Sequence, residues 1–472
     1  MADITGFLKI KRKDAGNRPV IERIKDHSEI EQILNSEDRM LQASRCMDCG
    51  VPFCHWGCPV DNLIPEWNDL LYRGDWKGAY ARLAATNNFP EFTGRICPAP
   101  CEHACVLNIT FEPVTIRENE VAIAERAFAE GYVKPEPPSV RTGKKVAVIG
   151  SGPAGMAAAD LLNKAGHTVT LYEKDDRAGG LLRYGIPDFK LGKPVIDRRL
   201  DLMTREGVVI KTGVTVGKDI SGAELLQSFD AVCVATGSTI PRDINIPGRD
   251  LDGIHFAMDF LRGQNRVNAG MLSQSAVPVN AESKNVLVIG GGDTGSDCVG
   301  TAVRQKAATI TQVEIMPQPP SSRTGNNPWP YFAKVLKTST SHEEGCARFW
   351  NIAAKAFYGE NGKITGVEAE EVEWKNIEGQ YRMEVKPGTS RHFKAELVLL
   401  AMGFVHTAHE GLVSEFGLEL DSKGNIKTNN YRTSNDKVFA AGDAISGASL
   451  VVNAIASGRK TAAQVDKYLR AL

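Results

Sequence analysis

The stretch KKVAVIGSGPAGMAAADLLNKAGHTVTLYEK, residues 144–174, decides the fold of this chain. Its apolar runs and helical spacing predict a buried strand, a helix and a second strand, at 144–150, 154–166 and 168–174. A glycine turn joins the first strand to the helix. This order of elements is typical of a doubly wound domain that binds a dinucleotide.

The glycine turn is the predicted binding element of this segment. Its G-x-G-x-x-G spacing is formed by Gly150, Gly152 and Gly155. Such glycines permit a tight turn and let a diphosphate approach the backbone. Pro153 and Ala154 open the helix, whose free N–H groups would face that diphosphate. Glu173, 23 residues after Gly150, is placed at a strand end to bind a ribose hydroxyl.

Later segments indicate that this first dinucleotide is FAD. AVCVATG (231–237) ends an apolar strand, and KVFAAGDA (437–444) precedes a helix that begins near residue 450. Both segments are typical of flavoproteins, and a helix N-terminus directed at the flavin stabilises negative charge on the reduced ring. The candidate residues are Thr236, Gly237, Gly442, Asp443 and Leu450.

A second fingerprint, VLVIGGGDTGSDC (286–298), repeats the first. Its glycines are Gly290, Gly292 and Gly295. Asp293 and Thr294 open the following helix and are expected to cap it. Two such starts, 140 residues apart, predict two doubly wound domains.

The second fingerprint is expected to bind a pyridine nucleotide. Glu314 lies 24 residues after Gly290 at a predicted strand end, where a carboxylate favours the free 2′-hydroxyl of NADH. Arg323, in the loop that follows, would instead pair with the 2′-phosphate of NADPH. We therefore expect NAD(P)H here, with the acidic residue favouring NADH.

Composition excludes several other classes of protein. The chain has 472 residues, 42% of them apolar and 24% charged, and a net charge of −1. This balance argues against a nucleic-acid-binding protein or a polybasic membrane anchor. The N-terminus lacks an apolar core of the signal-peptide type, so we expect a cytoplasmic protein. In that reducing compartment, clustered cysteines bind metal more often than they form disulfides.

Seven of the ten cysteines lie between residues 46 and 105, namely Cys46, Cys49, Cys54, Cys58, Cys97, Cys101 and Cys105. Bacterial ferredoxins use three closely spaced cysteines and then a Cys-Pro whose thiolate ligates the other cluster. By that pattern Cys46, Cys49 and Cys54 bind the first cluster and Cys58 the second, and Cys105 is available to complete the first. The second takes Cys58, Cys97 and Cys101 and lacks a fourth thiolate, which a carboxylate would replace.

Two alternatives for the cysteines remain open in the sequence. A zinc site of Cys46, Cys49, Cys54 and Cys58 is possible, but it would leave the second cysteine motif without a role. A set of redox-active disulfides is the other alternative.

The fold class that follows is α/β, with two doubly wound nucleotide-binding domains, one inserted in the other, preceded by a small helical iron–sulfur domain. We expect the helical domain at 1–135 because this part of the chain lacks strand-like runs. The flavin-type pattern returns at 438, so the FAD domain is expected at 144–254 and 404–472. The NAD(P)H domain is then expected at 255–403.

Taken together, these residues resemble the small (β) subunits of glutamate synthase over essentially the whole chain. The segments that carry the resemblance are GFLKIKRKDAGNRPVIERIKD (6–26), CMDCGVPFCHWGCPV (46–60), GRICPAPCEHAC (94–105), VTIRENE (114–120), GGLLRYGIPDFKL (179–191) and MPQPPSSRTGNNPWP (316–330). The resemblance implies that Glu120 is the eighth ligand of two [4Fe-4S] clusters and that Gly180 and Leu181 contact FAD. It also places Arg183 and Lys190 near the flavin.

The resemblance further implies an activity and a partner. NAD(P)H would reduce FAD, and electrons would pass through the clusters to the FMN of a large subunit. That subunit, a glutamine amidotransferase, would make L-glutamate from L-glutamine and 2-oxoglutarate. The alternatives are the corresponding subunit of a ferredoxin–NADP transhydrogenase or of dihydropyrimidine dehydrogenase, and a zinc-stabilised adaptor without catalytic activity.

Overall fold

A computed structural model describes residue 3, residues 5–377 and residues 379–472. Residues 1, 2 and 4, which belong to the N-terminal segment judged to lack a signal peptide, lie outside the described residues. Within the described part of the chain, no helix combines the length and the apolar character needed to cross a membrane.

The N-terminal third of the chain is helical, as its lack of strand-like runs predicts. Its helices are α1 (Gly6–Lys9), α2 (Val20–Arg23), α3 (Ser36–Ala43), α4 (Phe53–Gly57), α5 (Ile64–Tyr72), α6 (Trp76–Thr86), α7 (Pro90–Ile96), α8 (Pro100–Ala104) and α9 (Ile116–Ala129), with a 3₁₀ turn at Val106–Ile109. Trp67, Phe89 and Phe92 are fully buried among them. The cysteine segments therefore lie on short helices that pack around one apolar core.

The first doubly wound unit begins with the segment that opened the sequence analysis. Its elements are β1 (Lys145–Ile149), α10 (Pro153–Lys164), β2 (Thr168–Tyr172), α11 (Leu181–Tyr184), α12 (Lys193–Arg205), β3 (Val209–Lys211), α13 (Gly222–Ser228) and β4 (Ala231–Val234). All four strands are parallel, and β1 lies between β2 and β4. A parallel sheet covered by helices on both faces explains why these strands are near-continuous apolar runs.

The second unit repeats this plan. It contains β5 (Ile254–Phe256), α14 (Ala257–Asn268), a 3₁₀ turn (Gln274–Ala276), β6 (Asn285–Ile289), α15 (Asp293–Arg304), β7 (Thr309–Glu314), α16 (Thr340–Glu343), β8 (Ala347–Trp350), β9 (Ile352–Glu360), β10 (Lys363–Ile377), β11 (Gln380–Val385), β12 (Arg391–Lys394) and β13 (Leu397–Leu400). The parallel sheet has the order β5-β13-β6-β7-β8. A separate antiparallel sheet is formed by β9 to β12.

The antiparallel sheet was not part of the sequence prediction. A signal for it exists, because Asn361 and Gly362 join β9 to β10 and Asn-Gly is a strong hairpin sequence. The alternating apolar residues of β10 point to the same conclusion, with a buried residue at many alternate positions.

The chain then returns to the first sheet. The closing elements are α17 (Leu412–Glu415), β14 (Val438–Ala440), α18 (Asp443–Ser446) and α19 (Val451–Arg470). Strand β14 pairs in parallel with β4, which gives the first sheet the order β14-β4-β1-β2-β3. The predicted fold class, with one doubly wound unit inserted in another, is therefore confirmed.

Segment 87–97, which contains α7, joins the helical unit to the first doubly wound unit. Glu91 is fully buried, and its carboxylate accepts two hydrogen bonds from Arg199 of α12, at 2.6 and 3.0 Å. Asn88 donates to Asp160 of α10 and accepts from Arg459 of α19. The segment therefore contacts three helices of the first doubly wound unit, α10, α12 and α19.

Further buried ion pairs connect the second doubly wound unit to the rest of the chain. Glu344 accepts hydrogen bonds from Arg304 of α15 and from Arg23 in the N-terminal arm. Lys190, in the segment after the first glycine turn, pairs with Asp297 of α15. Buried charges of this kind are tolerated only when they are paired, so they fix how the units meet.

We predict that Glu91→Ala destabilises the protein by about 3–5 kcal/mol, because it leaves the Arg199 guanidinium buried and unpaired. Arg199 also lies over the rings of Phe89 and Phe128, at 5.5 and 5.2 Å, so it has little access to water. The measurement is the shift in denaturation midpoint of the holoprotein. Arg205→Ala, which breaks an exposed ion pair with Asp201, is the control and should change little. Equal shifts in the two variants would show that the buried contact contributes no more than a surface pair.

Candidate functional site

The first glycine turn has the geometry that its spacing predicts. Gly150 has a φ of +100°, where side chains are strained, and a Cβ on Gly155 would lie 1.9 Å from the carbonyl oxygen of Gly150. A Cβ on Gly152, by contrast, would meet no heavy atom within 4 Å. The open space therefore lies at Gly152, directly before the first turn of α10, which begins with Pro153. N–H groups at such a helix start bind phosphate.

Glu173 follows β2 beside this turn, as predicted. It is 5% exposed, and one carboxylate oxygen accepts hydrogen bonds from the N–H and the hydroxyl of Ser151. The N–H of Asp175 donates to the other oxygen at 2.9 Å. The Ser151 hydroxyl also accepts from the N–H of Gly179 at 2.9 Å. Sequence reasoning missed Ser151, although its place between two turn glycines was the available signal.

Two distant parts of the chain meet the glycine turn. A Cβ on Gly442 would lie 2.7 Å from the Cβ of Ala154, and a Cβ on Gly180 would lie 2.8 Å from the Cα of Gly152. Helix α19 packs closely on α10, since a Cβ on Gly458 would lie 2.1 Å from the carbonyl oxygen of Ala154. Three predicted FAD-binding glycines from separate segments, Gly152, Gly180 and Gly442, thus lie at or against the first glycine turn.

Thr236 and Gly237 follow β4 at the same end of the sheet. Gly237 has a φ of +74°, and the Thr236 hydroxyl lies 3.1 Å from the hydroxyl of Thr407. Thr407 is buried and had no signal in the sequence, because it comes from the segment that returns from the second unit.

Asp443 and Leu450 lie at the starts of α18 and α19. The Asp443 carboxylate accepts a hydrogen bond from the Ser449 hydroxyl at 2.7 Å, and burial raises the pKa of Asp443. Leu450 is the residue that precedes α19. Leu181, beside Gly180, is 44% exposed.

Arg183 and Lys190 are committed to contacts within the protein. Arg183 is buried, donates to the carbonyl oxygen of Ala178 at 3.0 Å and pairs with Asp197. Lys190 pairs with Asp297, as described above. Both side chains therefore hold the 179–191 segment in place.

The second glycine turn has the same geometry as the first. Gly290 has a φ of +121°, and a Cβ on Gly295 would lie 2.2 Å from its carbonyl oxygen. A Cβ on Gly292 would meet no heavy atom within 4 Å. Glu314, at the end of β7, accepts hydrogen bonds from the N–H groups of Gly291 and Met316. Its carboxylate is therefore held beside the turn.

The prediction that Asp293 and Thr294 cap α15 is wrong. The capping position is occupied by Gly292, and no side chain caps the helix. The physical reason is that α15 already begins at Asp293, so both side chains lie inside the first turn, past the position from which an oxygen reaches the free N–H groups. An N-terminus without a side-chain cap keeps those N–H groups available for a phosphate.

Arg323 does not lie free at the second turn. Its guanidinium donates to the carbonyl oxygens of Tyr331 and His103, at 2.7 and 3.0 Å. His103 belongs to α8 of the helical unit, between two of the clustered cysteines. The structure thus commits Arg323 to a contact between units, which its loop sequence gave no means of predicting.

The structure brings the four cysteines of the first predicted group together. Cys46, Cys49, Cys54 and Cys105 line one cavity together with apolar side chains that include Phe53 and Ile64. The backbone N–H groups of Leu107 and Val114 are directed at the sulfur of Cys105. Four thiols in an apolar pocket with N–H donors suit an iron–sulfur cluster, whose potential such hydrogen bonds adjust.

The second group contains Cys58, Cys97, Cys101 and Glu120. They lie close enough together that, in addition to burial, negative charge on Glu120 or on a neighbouring thiolate raises the pKa of the cysteines. Glu120 is 5% exposed, and its Oε1 accepts hydrogen bonds from Asn87 at 2.7 Å and from Thr93 at 2.8 Å. Burial raises the pKa of Glu120 to about 7, so its charged form calls for a positive partner. A bound iron would supply that charge, and the solvated surface position common for a helical glutamate is excluded.

The arrangement bears on the two alternatives for the cysteines. Cys58 faces the second group, so a zinc site of the first four cysteines is not assembled. All the described cysteines are free, which leaves the disulfide alternative without a formed bond. Among the described residues, no three metal-ligating side chains are spaced to share a single ion. Burial raises the pKa of Cys58 to about 12, and a bound metal would favour its thiolate form.

We predict that Gly152→Ala and Gly292→Ala each affect a different nucleotide site. Each methyl group would enter space that is open in the protein, so neither variant should lose its fold. Gly152→Ala should lower flavin content, and Gly292→Ala should keep the flavin but raise the KM for NAD(P)H about tenfold, as a loss of about 1.4 kcal/mol of binding would. Flavin absorbance, steady-state kinetics and melting temperature measure these effects. Loss of flavin from Gly292→Ala would contradict the assignment of the two turns.

Two protein families match the chain. The family described as "Pyridine nucleotide-disulphide oxidoreductase" matches residues 144–458. The family described as "Dihydroprymidine dehydrogenase domain II, 4Fe-4S cluster" matches residues 23–132. The first match spans both glycine turns, and the second includes all seven clustered cysteines.

Solved structures with a similar fold include FprA from Mycobacterium tuberculosis. Its His57Gln mutant has a TM-score of 0.57 at 17% sequence identity, over 70% of this chain and 85% of that one. FprA in complex with NADPH has a TM-score of 0.55 at 18% identity. At such identities the likeness shows the fold alone.

Relatives of known name match the whole chain. It is 50% identical to the glutamate synthase [NADPH] small chain of Mycobacterium tuberculosis, over 99% of this chain and 96% of that one. It is 45% identical to the small chain of Bacillus subtilis, over 99% of both chains. It also matches glutamate synthase [NADH] of Schizosaccharomyces pombe at 44% identity, over 98% of this chain but 22% of that longer protein. With both glycine turns and both cysteine groups in place, this chain belongs to the glutamate synthase small-chain family.

Proposed function

We propose that this chain is the electron-input subunit of a glutamate synthase. NAD(P)H binds at the second glycine turn, FAD at the first, and two [4Fe-4S] clusters at the two cysteine groups. The electrons leave for the FMN of a large subunit that makes L-glutamate from L-glutamine and 2-oxoglutarate. The observation that carries the proposal is the 50% identity to a named small chain along nearly the full length of both proteins.

The chain's own residues bind and orient the two nucleotides. At the first turn, the N–H groups at the start of α10 are placed for the diphosphate of FAD, and Glu173 is placed for a ribose. At the second turn, the N–H groups at the start of α15 and the Glu314 carboxylate take the same roles for NAD(P)H. Bound FAD supplies the conversion of a hydride into the single electrons that clusters accept. The Glu314 carboxylate favours NADH, since it would repel a 2′-phosphate.

The ligand sets follow the two cysteine groups. We assign Cys46, Cys49, Cys54 and Cys105 to the first cluster, and Cys58, Cys97, Cys101 and Glu120 to the second. Segment 87–97 binds Glu120 through Asn87 and Thr93, while Asn88 and Glu91 bind the flavin unit. These contacts support an order in which electrons reach the second cluster first.

The proposal extends to the units, the partner and the location. The helical iron–sulfur unit occupies 1–135, the FAD unit 144–254 and 404–472, and the NAD(P)H unit 255–403. A separate large subunit carries the amidotransferase, as the name small chain implies for the relatives. The cytoplasm is the fitting compartment, because reducing conditions preserve free thiols.

We predict that Cys58→Ser loses about half of the iron, one of two four-iron clusters, and keeps its FAD. Glu120→Ala should lose iron from the same cluster, since it removes the only carboxylate assigned to it. Iron and flavin analysis of the purified variants gives the result. Cys346→Ser is the matched control, because Cys346 is half-buried in the second doubly wound unit and belongs to neither group. Flavin loss from Cys58→Ser with full retention of iron would contradict the assignment.

An anaerobic titration tests the function itself. We expect NAD(P)H to bleach the visible bands of the purified protein, with electrons passing to an artificial acceptor, and separate titrations with NADH and NADPH show which nucleotide is preferred. Glutamate should form from glutamine and 2-oxoglutarate only after the large subunit is added. A colourless protein that neither nucleotide changes would instead favour the zinc-stabilised adaptor.

A further inference from the structure

The loop after β7 crosses from the second doubly wound unit to the helical unit. It follows Glu314, the last residue of β7. A hydrogen bond from the N–H of Leu336 to the carbonyl oxygen of Pro320, at 2.8 Å, closes its base. Asn327 fixes the tip from within, since its side chain donates to the carbonyl oxygen of Phe332 and accepts from the N–H of Lys334. The loop is therefore preformed, as compact surface loops closed at their base commonly are.

The tip of this loop lies against the first cysteine group. The indole N–H of Trp329 donates to the carbonyl oxygen of Cys105 at 3.2 Å. The Trp329 ring also packs on Phe53, which lines the cysteine cavity, with ring centroids 4.5 Å apart. One side chain thus contacts the backbone of an assigned ligand and the wall of the pocket.

Neighbouring aromatic residues extend the contact on either side of Trp329. Tyr331 packs on Trp56, which lies between two of the cysteines, at 5.7 Å, and Phe332 packs on His103 at 4.4 Å. The Arg323 guanidinium adds the hydrogen bond to the carbonyl oxygen of His103. Aromatic pairs at these distances add to the stability of a contact beyond the area they bury.

We propose that residues 323–332 form a cap over the first iron–sulfur site, and that Trp329 is its positioning residue. The cap rests on the proposed function, because it needs a cluster at Cys46, Cys49, Cys54 and Cys105. It holds the Cys105 backbone through one hydrogen bond and excludes water from the Phe53 side of the pocket. It also ties the unit that binds NAD(P)H to the cluster, so that the two keep a fixed separation.

The hydrogen bond and the ring contact can be separated by substitution. Trp329→Phe keeps a ring against Phe53 and removes the indole N–H, while Trp329→Ala removes both. Trp374→Phe is the matched control, because the Trp374 indole also donates to a backbone carbonyl of this loop at 2.8 Å, but at Ile315, outside residues 323–332.

The experiment measures iron release from the holoprotein to a ferrous chelator, with flavin content and melting temperature as checks on the fold. In Trp329→Ala, roughly half of the iron should leave about tenfold faster than in the wild type, the usual cost of losing an outer-shell partner of a metal ligand. Trp329→Phe should lie between the two, and the rest of the iron should leave at the wild-type rate.

Release at the wild-type rate in both Trp329 variants, or an equal acceleration in Trp374→Phe, would overturn the cap. Wild-type protein without iron would instead refute the proposed function on which the cap rests. The two failures are therefore distinguishable, because the first leaves the iron content of the wild type intact.

Discussion

The constraint on which the rest of the structure depends is the fixed position of the cysteine groups relative to the first sheet. Segment 87–97 contributes to it. On one side, Asn87 and Thr93 bind the buried Glu120 beside three cysteines. On the other, Glu91 pairs with Arg199 of the first doubly wound unit. Segment 87–97 therefore helps to set the position of the second cysteine group relative to the first sheet, together with the ion pair of Glu125 on α9 and Arg198 on α12.

The helical unit and the first doubly wound unit share an apolar core, and ion pairs with little exposure to water add to the contacts between units. The pair of Glu91 and Arg199 joins the helical unit to the first doubly wound unit, and that of Lys190 and Asp297 joins the two doubly wound units. Removing such charges from water costs more than their attraction returns unless the geometry is good, so they serve specificity more than stability here. Any other arrangement of the units would leave buried charges unpaired and is therefore disfavoured. In a protein that relays electrons between sites, this keeps the sites at fixed positions.

Local sequence was sufficient wherever the structure is local. Gly150 and Gly155 predicted a turn whose positive φ and close contacts only glycine permits, and the same spacing at Gly290 gave the same turn. The helical character of the N-terminal part and the return of the chain at β14 also followed from pattern. The capping prediction for Asp293 failed by a single position, because patterns rarely place a helix start more accurately than one or two residues.

Sequence by itself determined the repeated strand–turn–helix units, the spacing of seven thiols and the acidic residues at two strand ends, because each depends on residues near one another in the chain. Tertiary structure alone decided that Thr407 reaches Thr236, that Asn87 and Thr93 bind Glu120, and that Arg323 and Trp329 reach the helical unit. Those outcomes depend on how separately formed units pack. No spacing along the chain encodes which buried polar group of one unit will find its partner on another.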